Sequence, residues 1–335
     1  MRGSLLVVMS LCVACGDDLE VPPLFDAAPE MPDAAEDPAV ARGRYLVNDV
    51  AMCSFCHTPR RANGTPDPSK FLAGVDCFGG DVDPEDDEVG CIHSRNLTNH
   101  ETGLANASDE EIKDAFQHGM GTDGRVLIPV MPYWVFANMT DDDADAIVAY
   151  LRTVEPVDHM TPANQPPFGA EPEAPFPAID TDDIPLPTDG FEEEESALRG
   201  RYLTSMASVC IDCHTPELEP MTLMFDWDKA FGGGRGFPRE FLGYFSEPYP
   251  AIIYTSNVTP HATGLDGYTR ADIIKVMKEG LDPEGDGICA PTHSGPSSPY
   301  AGLTDGDVED IANYLLSLPP VDNAVPEDCM GPPPS

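Results

Sequence analysis

Gly43-Arg44-Tyr45-Leu46 leads into Cys53-Ser54-Phe55-Cys56-His57-Thr58-Pro59, and Gly200-Arg201-Tyr202-Leu203 leads into Cys210-Ile211-Asp212-Cys213-His214-Thr215-Pro216. The tetrapeptide, the Cys-x-x-Cys-His motif and the Thr-Pro that follows it all recur at one offset, 157 residues. Two cysteines three positions apart share one face of a helical turn, and the next side chain projects beside them. That arrangement offers two sulfurs for thioether bonds to a porphyrin and one imidazole for its iron, the attachment signature of haem c. Cys53, Cys56, His57, Cys210, Cys213 and His214 are therefore the candidate cofactor-binding residues, with His57 and His214 as iron ligands.

The repetition runs beyond the motifs. Asn96-Leu97-Thr98-Asn99-His100-Glu101-Thr102-Gly103-Leu104 matches Asn257-Val258-Thr259-Pro260-His261-Ala262-Thr263-Gly264-Leu265 at an offset of 161, and Ala149-Tyr150-Leu151 matches Asn313-Tyr314-Leu315 at 164. A slowly growing offset means small insertions in the second copy, hence an all-α pair of tandem units at 38–155 and 196–322. Helix starts are legible in each. Pro38 suits a first-turn position, and Ser108 with Glu111 forms a capping-box pattern. Thr140 stands before Asp143, and Thr269 and Thr304 repeat these caps in the second copy. Ala144, Ile147, Val148 and Leu151 form one apolar stripe, echoed by Val308, Ile311, Ala312 and Leu315. Residues 156–195 are rich in Pro, Asp and Glu, but Phe168, Phe176, Ile179 and Phe191 give that linker an apolar grip, so it reads as a docked strap. A Pro-rich tail occupies 323–335.

A formal net charge of -41 argues against a nucleic-acid partner, since phosphate would be repelled. It suits an exported protein, or one that meets a basic redox partner. Arg2 and the apolar run from Leu5 to Ala14 make residues 1–14 a signal-peptide core, too short to remain as a membrane span. Cys15 follows Ala14 as a candidate lipidation site, although Cys12 stands where such a signal usually carries leucine. Residues 15–37 then form an acidic, Pro-rich tether. The expected location is the periplasmic side of a bacterial membrane, with a lipoprotein anchor. Beyond the leader and the two motifs, four of the ten cysteines remain: Cys77, Cys91, Cys289 and Cys329. Three pairings are open in an oxidising compartment, and Cys77–Cys91 with Cys289–Cys329 keeps each bridge inside one repeat.

Asn-x-Thr followed by Thr-Gly-Leu, then Met131-Pro132-Tyr133, then Thr-Asp-x-Asp and Tyr-Leu, together with the two attachment motifs, resemble the class I cytochrome c domains. The tandem is similar to the bacterial di-haem cytochromes c that serve membrane-bound alcohol and sugar dehydrogenases. The resemblance implies two covalently bound haems c, and a sixth iron ligand from the loop ahead of the last helix. Met131 occupies that place for haem one; Met120, Met139 and Met160 read as filler or surface residues. The corresponding loop of haem two, Cys289 to Pro296, has no Met, so the ligand there is either His293 or none from the protein. Met277 reads as core. Two imidazoles would place haem two at the lower potential, and electrons would run from haem two to haem one. Asn96, Thr98, Asn257 and Thr259 are candidates for the haem propionates; His100 and His261 would line the haem edge or bond locally. The activity implied is single-electron relay from a dehydrogenase donor to a cytochrome or oxidase acceptor, a carrier rather than an enzyme. A di-haem peroxidase-like enzyme with an open iron at haem two is the alternative. A docking subunit of a dehydrogenase complex is the third reading.

Overall fold

The computed structural model describes residues 36–61, 65–78, 91–165, 171–219, 222–238, 252–288 and 298–326. Cys15, Cys289, His293 and Cys329 lie outside the described residues, as do the leader, most of the tether, Phe168 and most of the tail. In chain order the first half gives α1 (Pro38–Tyr45), α2 (Cys53–His57), β1 (Val75–Phe78), β2 (Ile92–Ser94), α3 (Asp109–Lys113), α4 (Tyr133–Phe136) and α5 (Asp141–Leu151). The second half gives α6 (Glu194–Ser205), α7 (Cys210–His214), β3 (Gly236–Pro238), β4 (Ile252–Tyr254), α8 (Arg270–Glu279) and α9 (Asp305–Ser317). The all-α expectation needs one correction. Two short antiparallel ladders, β1 with β2 and β3 with β4, follow the attachment helices.

Five helices, α1, α3, α5, α8 and α9, start where a side chain takes a free backbone N–H. Asp37 accepts from Ala39 N at 2.9 Å with Pro38 in the first turn. Ser108 and Thr269 close full capping boxes with Glu111 and Asp272. α1 continues through a π-helical turn, Leu46–Val50, which buries Leu46, Val47 and Val50. α1 crosses α5, and α6 crosses α9, as the main packing of each half. The crossings are close because of the motif glycines. A Cβ on Gly43 would lie 1.8 Å from Ala146 O, and one on Gly200 would lie 2.0 Å from Asp310 O. The next residues in each motif take separate tasks: Leu46 and Leu203 enter the core, while Tyr45 and Tyr202 reach into the opposite half. The largest side chains under 2 % exposed are Trp134, Tyr133, Tyr314 and Phe231, and they belong to one continuous apolar cluster that spans both halves.

Residues 171–193 lie against both halves. Ile179 N donates to Trp134 O at 3.0 Å, and Asn138 Nδ2 donates to Ile179 O at 2.9 Å. Further along, Thr188 N donates to Ser317 O at 2.8 Å, and Arg201 donates to the carbonyls of Thr181, Ile184 and Pro185. Ile179 and Ile184 are buried.

The π-helical turn of the first half rests on the turn Pro299–Gly302 of the second. A Cβ on Gly302 would lie 1.8 Å from Asp49 Oδ1. Burial there raises the Asp49 carboxyl to about 6, against the opposing pull of Arg44 and Lys278. A carboxyl whose folded value is raised binds its proton more tightly when folded, so this contribution to stability is complete below about 4 and lost as pH rises through 6. Asp49→Asn should therefore remove stability loss between those two values and leave the variant the more stable at pH 7. Urea unfolding of both proteins at several pH values reads this directly; parallel curves would show that Asp49 is solvated in the folded chain.

Candidate functional site

Cys53 and Cys56 stand on the single turn of α2, which opens at Met52 with a left-handed φ of 58°. Cys210 and Cys213 stand equivalently on α7. None of the four is in a disulfide, and each is half-buried. Burial pushes the Cys53 and Cys56 thiols up to about 12, and it raises Cys210 and Cys213 as well. Cys-x-x-Cys pairs that exchange disulfides carry a thiolate near neutral pH, so these pairs are tuned for the opposite use. The negative charge that Cys56 would carry adds to the upward push on Cys213, so the two attachment turns are within electrostatic reach of each other.

The two histidines share one hydrogen-bonded geometry. His57 is buried and its Nδ1 lies 2.7 Å from Arg95 O; His214 is half-buried and its Nδ1 lies 2.8 Å from Ser256 O. A carbonyl accepts only, so Nδ1 carries the hydrogen and Nε2 keeps its lone pair. Burial also lowers the basicity of both rings, with the carbonyl bond as the smaller, opposing effect. Each ring is thus neutral at pH 7 and oriented by its carbonyl. Gly74 N and Gly233 N close the turn by donating to His57 O and His214 O at 2.8 and 2.7 Å. The threonines after the histidines, Thr58 and Thr215, are buried and accept from Leu72 N and Phe231 N.

The Asn-x-Thr loops behave alike in both halves. Asn96 Nδ2 donates to Thr102 Oγ1 and Val157 O, while its Oδ1 accepts from Thr98 N and Oγ1. Asn257 does the same with Thr263, Val321 and Thr259. Thr98 and Thr259 in turn accept from Val157 N and Val321 N, both at 3.0 Å. The side chains of Asn96, Thr98, Asn257 and Thr259 are thus engaged with groups of the chain itself. They tie the chain leaving α5 and α9 back to the loop whose preceding carbonyl fixes the histidine. His100 and His261 bond locally to Thr102 and Thr263 at 2.9 Å.

Met131 is half-buried, packs against the apolar core, and sits in a tight turn ahead of α4, its carbonyl accepting from Tyr133 N at 2.8 Å. Three residues on, Trp134 is 1 % exposed and its Nε1 has no hydrogen-bond partner among the described residues. A buried donor left that way costs about 1–3 kcal/mol unless a bound group accepts it. Two cysteines outside any disulfide and an oriented neutral imidazole beside them in the chain fit a covalently held haem. Cys77 and Cys91, 4.9 Å apart at Cα, are joined in a disulfide that bridges the β1 and β2 ladder.

Three features escaped sequence reasoning. The carbonyls of Arg95 and Ser256 orient the histidines; each stands immediately before an Asn-x-Thr, a coincidence visible in the alignment of the halves. Arg235 lies between Asp212, inside the second attachment turn, and Glu217, with its guanidinium over Phe225 and Phe237. Trp134 and Phe225 stack across the halves with centroids 5.1 Å apart.

Residues 40–155 match the family described as cytochrome c. The first half is similar to a cytochrome c domain. Much of the chain is also similar to cytochrome subunits of dehydrogenases. The fructose dehydrogenase cytochrome subunit of Gluconobacter japonicus is 28% identical over 303 residues, 86% of this chain and 54% of that protein. The gluconate 2-dehydrogenase cytochrome c subunit of Pantoea cypripedii is 27% identical over 291 residues, 85% of this chain and 61% of that one. The cytochrome c subunit of the quinone alcohol dehydrogenase of Gluconobacter oxydans is 28% identical over 302 residues, covering 88% and 56%. The chain thus spans less than two thirds of the length of these relatives. Among the described residues no helix is long and apolar enough to cross a membrane.

Proposed function

We propose that the chain is a di-haem electron carrier. Two tandem cytochrome c domains, 38–155 and 196–322, joined by the strap 156–195, would each hold one haem c. The observation that carries this reading is the duplicated histidine geometry. His57 and His214 each direct Nδ1 to the carbonyl just before an Asn-x-Thr, at 2.7 and 2.8 Å, beside two half-buried cysteines that are in no disulfide. The haem, when bound, supplies an iron that gains or loses one electron. The chain's part is to anchor it through Cys53 and Cys56 or Cys210 and Cys213, to hold one nitrogen on the iron, and to keep water from the buried face. Met131 would complete haem one through its sulfur; for haem two, His293 would do so or the protein would give no second ligand.

The relatives' names support a place beside a dehydrogenase, so the donor would be a dehydrogenase subunit and the acceptor a cytochrome or oxidase. The net charge of -41 favours partners with basic faces. Anchoring through a lipid on Cys15 would keep the carrier at the periplasmic face of a membrane.

Haem quantitation of the exported protein tests the reading: two haems per chain are expected, falling to one when Cys53 and Cys56 are both changed to serine. A single haem in the unaltered protein would refute it. Met131→Ala should abolish the weak long-wavelength Fe–S charge-transfer band of the ferric protein while the haem count stays the same. Persistence of that band would remove Met131 from the ligand set.

A further inference from the structure

We propose that Tyr45 and Tyr202 form a reciprocal latch that fixes the spacing of the two attachment motifs, and that they are positioning residues for electron exchange between the halves. The inference rests on the two-haem reading above.

The argument begins with how helix starts are closed in this chain. At α3 and α8 the cap residue and the acidic residue three positions on satisfy each other: the carboxylate of Glu111 or Asp272 takes the backbone N–H of Ser108 or Thr269. α5 and α9 have the same residue types, Thr140 with Asp143 and Thr304 with Asp307, and each threonine accepts from its aspartate N–H. The second arm of the box is different. Tyr45 Oη donates to Asp307 Oδ2 at 2.6 Å and accepts from Thr304 N at 3.1 Å. Tyr202 Oη donates to Asp143 Oδ2 at 2.6 Å and accepts from Thr140 N at 3.3 Å. A hydroxyl from the opposite half is inserted between the N-cap amide and the carboxylate, and it completes both.

This exchange is symmetrical. Each half gives a tyrosine from its first helix and receives one at its last. Tyr45 stands eight residues before Cys53, and Tyr202 eight before Cys210, so each latch point lies on the helix that leads straight into an attachment turn. The same interface holds the π-helical turn against Pro299–Gly302 and stacks Trp134 on Phe225. Burial and the bonded aspartates raise the pKa of both tyrosines, so they remain donors across the physiological range. Within either half alone, water could replace the lost hydroxyl at an exposed helix start. The hydroxyls therefore matter mainly for how the halves sit together, and electron exchange over a gap depends steeply on that distance.

The test uses the full-length, haem-loaded protein and the double variant Tyr45→Phe/Tyr202→Phe, which keeps the rings and removes only the hydroxyls. Haem content, the visible spectrum and each haem's reduction potential should be unchanged. The rate of intramolecular electron equilibration after one-electron photoreduction should fall several-fold, and the iron–iron distance distribution from pulsed paramagnetic resonance should broaden. Calorimetry should turn one unfolding transition into two. With both tyrosines intact, Asp143→Asn/Asp307→Asn, which keeps an acceptor for each hydroxyl, should retain most of the parent rate, and Asp143→Ala/Asp307→Ala should not. An unchanged rate with an unchanged distance distribution would overturn the latch. Fewer than two haems per chain would overturn the two-haem reading instead, and the calorimetric splitting would then decide the latch by itself.

Discussion

Gly200→Ala should destabilise the protein by about 3 kcal/mol or more, because overpacking with no room to relax lies at the upper end of what an added methyl costs. The same is expected of Gly43→Ala. The sign makes this a sharp test. Alanine is the better helix former by about 1 kcal/mol, so propensity alone would make either change stabilising. The new Cβ, however, would lie 2.0 Å from Asp310 O at position 200 and 1.8 Å from Ala146 O at position 43, with Tyr314 Cβ and Tyr150 Cβ also inside 3 Å. Backbone carbonyls and Cβ atoms cannot rotate away, so a whole helix must shift. Since α1 and α6 lead into the two attachment turns, the shift should also lower haem incorporation. Urea unfolding and haem content per chain check both statements. A variant as stable as the parent would mean that the helices do not cross at these glycines.

Arg235→Ala should cost about 3–5 kcal/mol, the range for breaking a buried ion pair by removing one partner. Arg235 is 10 % exposed and serves two carboxylates, Asp212 at 19 % and Glu217 at 5 % exposure. It also bonds Asp212 O at 2.9 Å, which pins the second attachment turn. Even with the guanidinium present, burial raises the Asp212 carboxyl, against the pull of Arg235. Without it Asp212 loses its cation, and its folded value rises further. A raised folded value favours the folded state at low pH, so the deficit should be largest near pH 7 and shrink as the solution is acidified. Asp212→Asn/Glu217→Gln in the same background should recover much of the loss by removing the stranded charge. A deficit that does not change with pH would assign the effect to lost packing over Phe225 and Phe237 instead.

What the sequence disclosed follows from the range of each interaction. Ser108, Thr140, Thr269 and Thr304 could be read as helix caps because capping is settled within four residues. The attachment turns were legible for the same reason. The Gly-Arg-Tyr-Leu repeat was visible too, but its work was not: Gly43 meets a carbonyl from α5, and Tyr45 meets an aspartate 262 residues away. The two ladders were missed because strands of three or four residues carry no alternation long enough to see. Ile184, at 1 % exposure, hid between an aspartate and a proline in a stretch otherwise typical of a linker. The bonds of Asn96 and Thr98 to Val157, about 60 residues on, could not be read from their local sequence.

The Cys77–Cys91 bridge has a consequence for how this chain is made. Residues 53–91 contain one cysteine pair that ends oxidised and another that, under the haem-bearing function proposed above, would have to arrive at the porphyrin as free sulfur. The compartment must therefore deliver two opposing thiol treatments to one short stretch of polypeptide. If the oxidant came before the reductant and the porphyrin, Cys53 and Cys56 would be open to mispairing with Cys77 or Cys91. The product would be a cross-linked, colourless chain, so the order of maturation steps is part of what this sequence demands of its host.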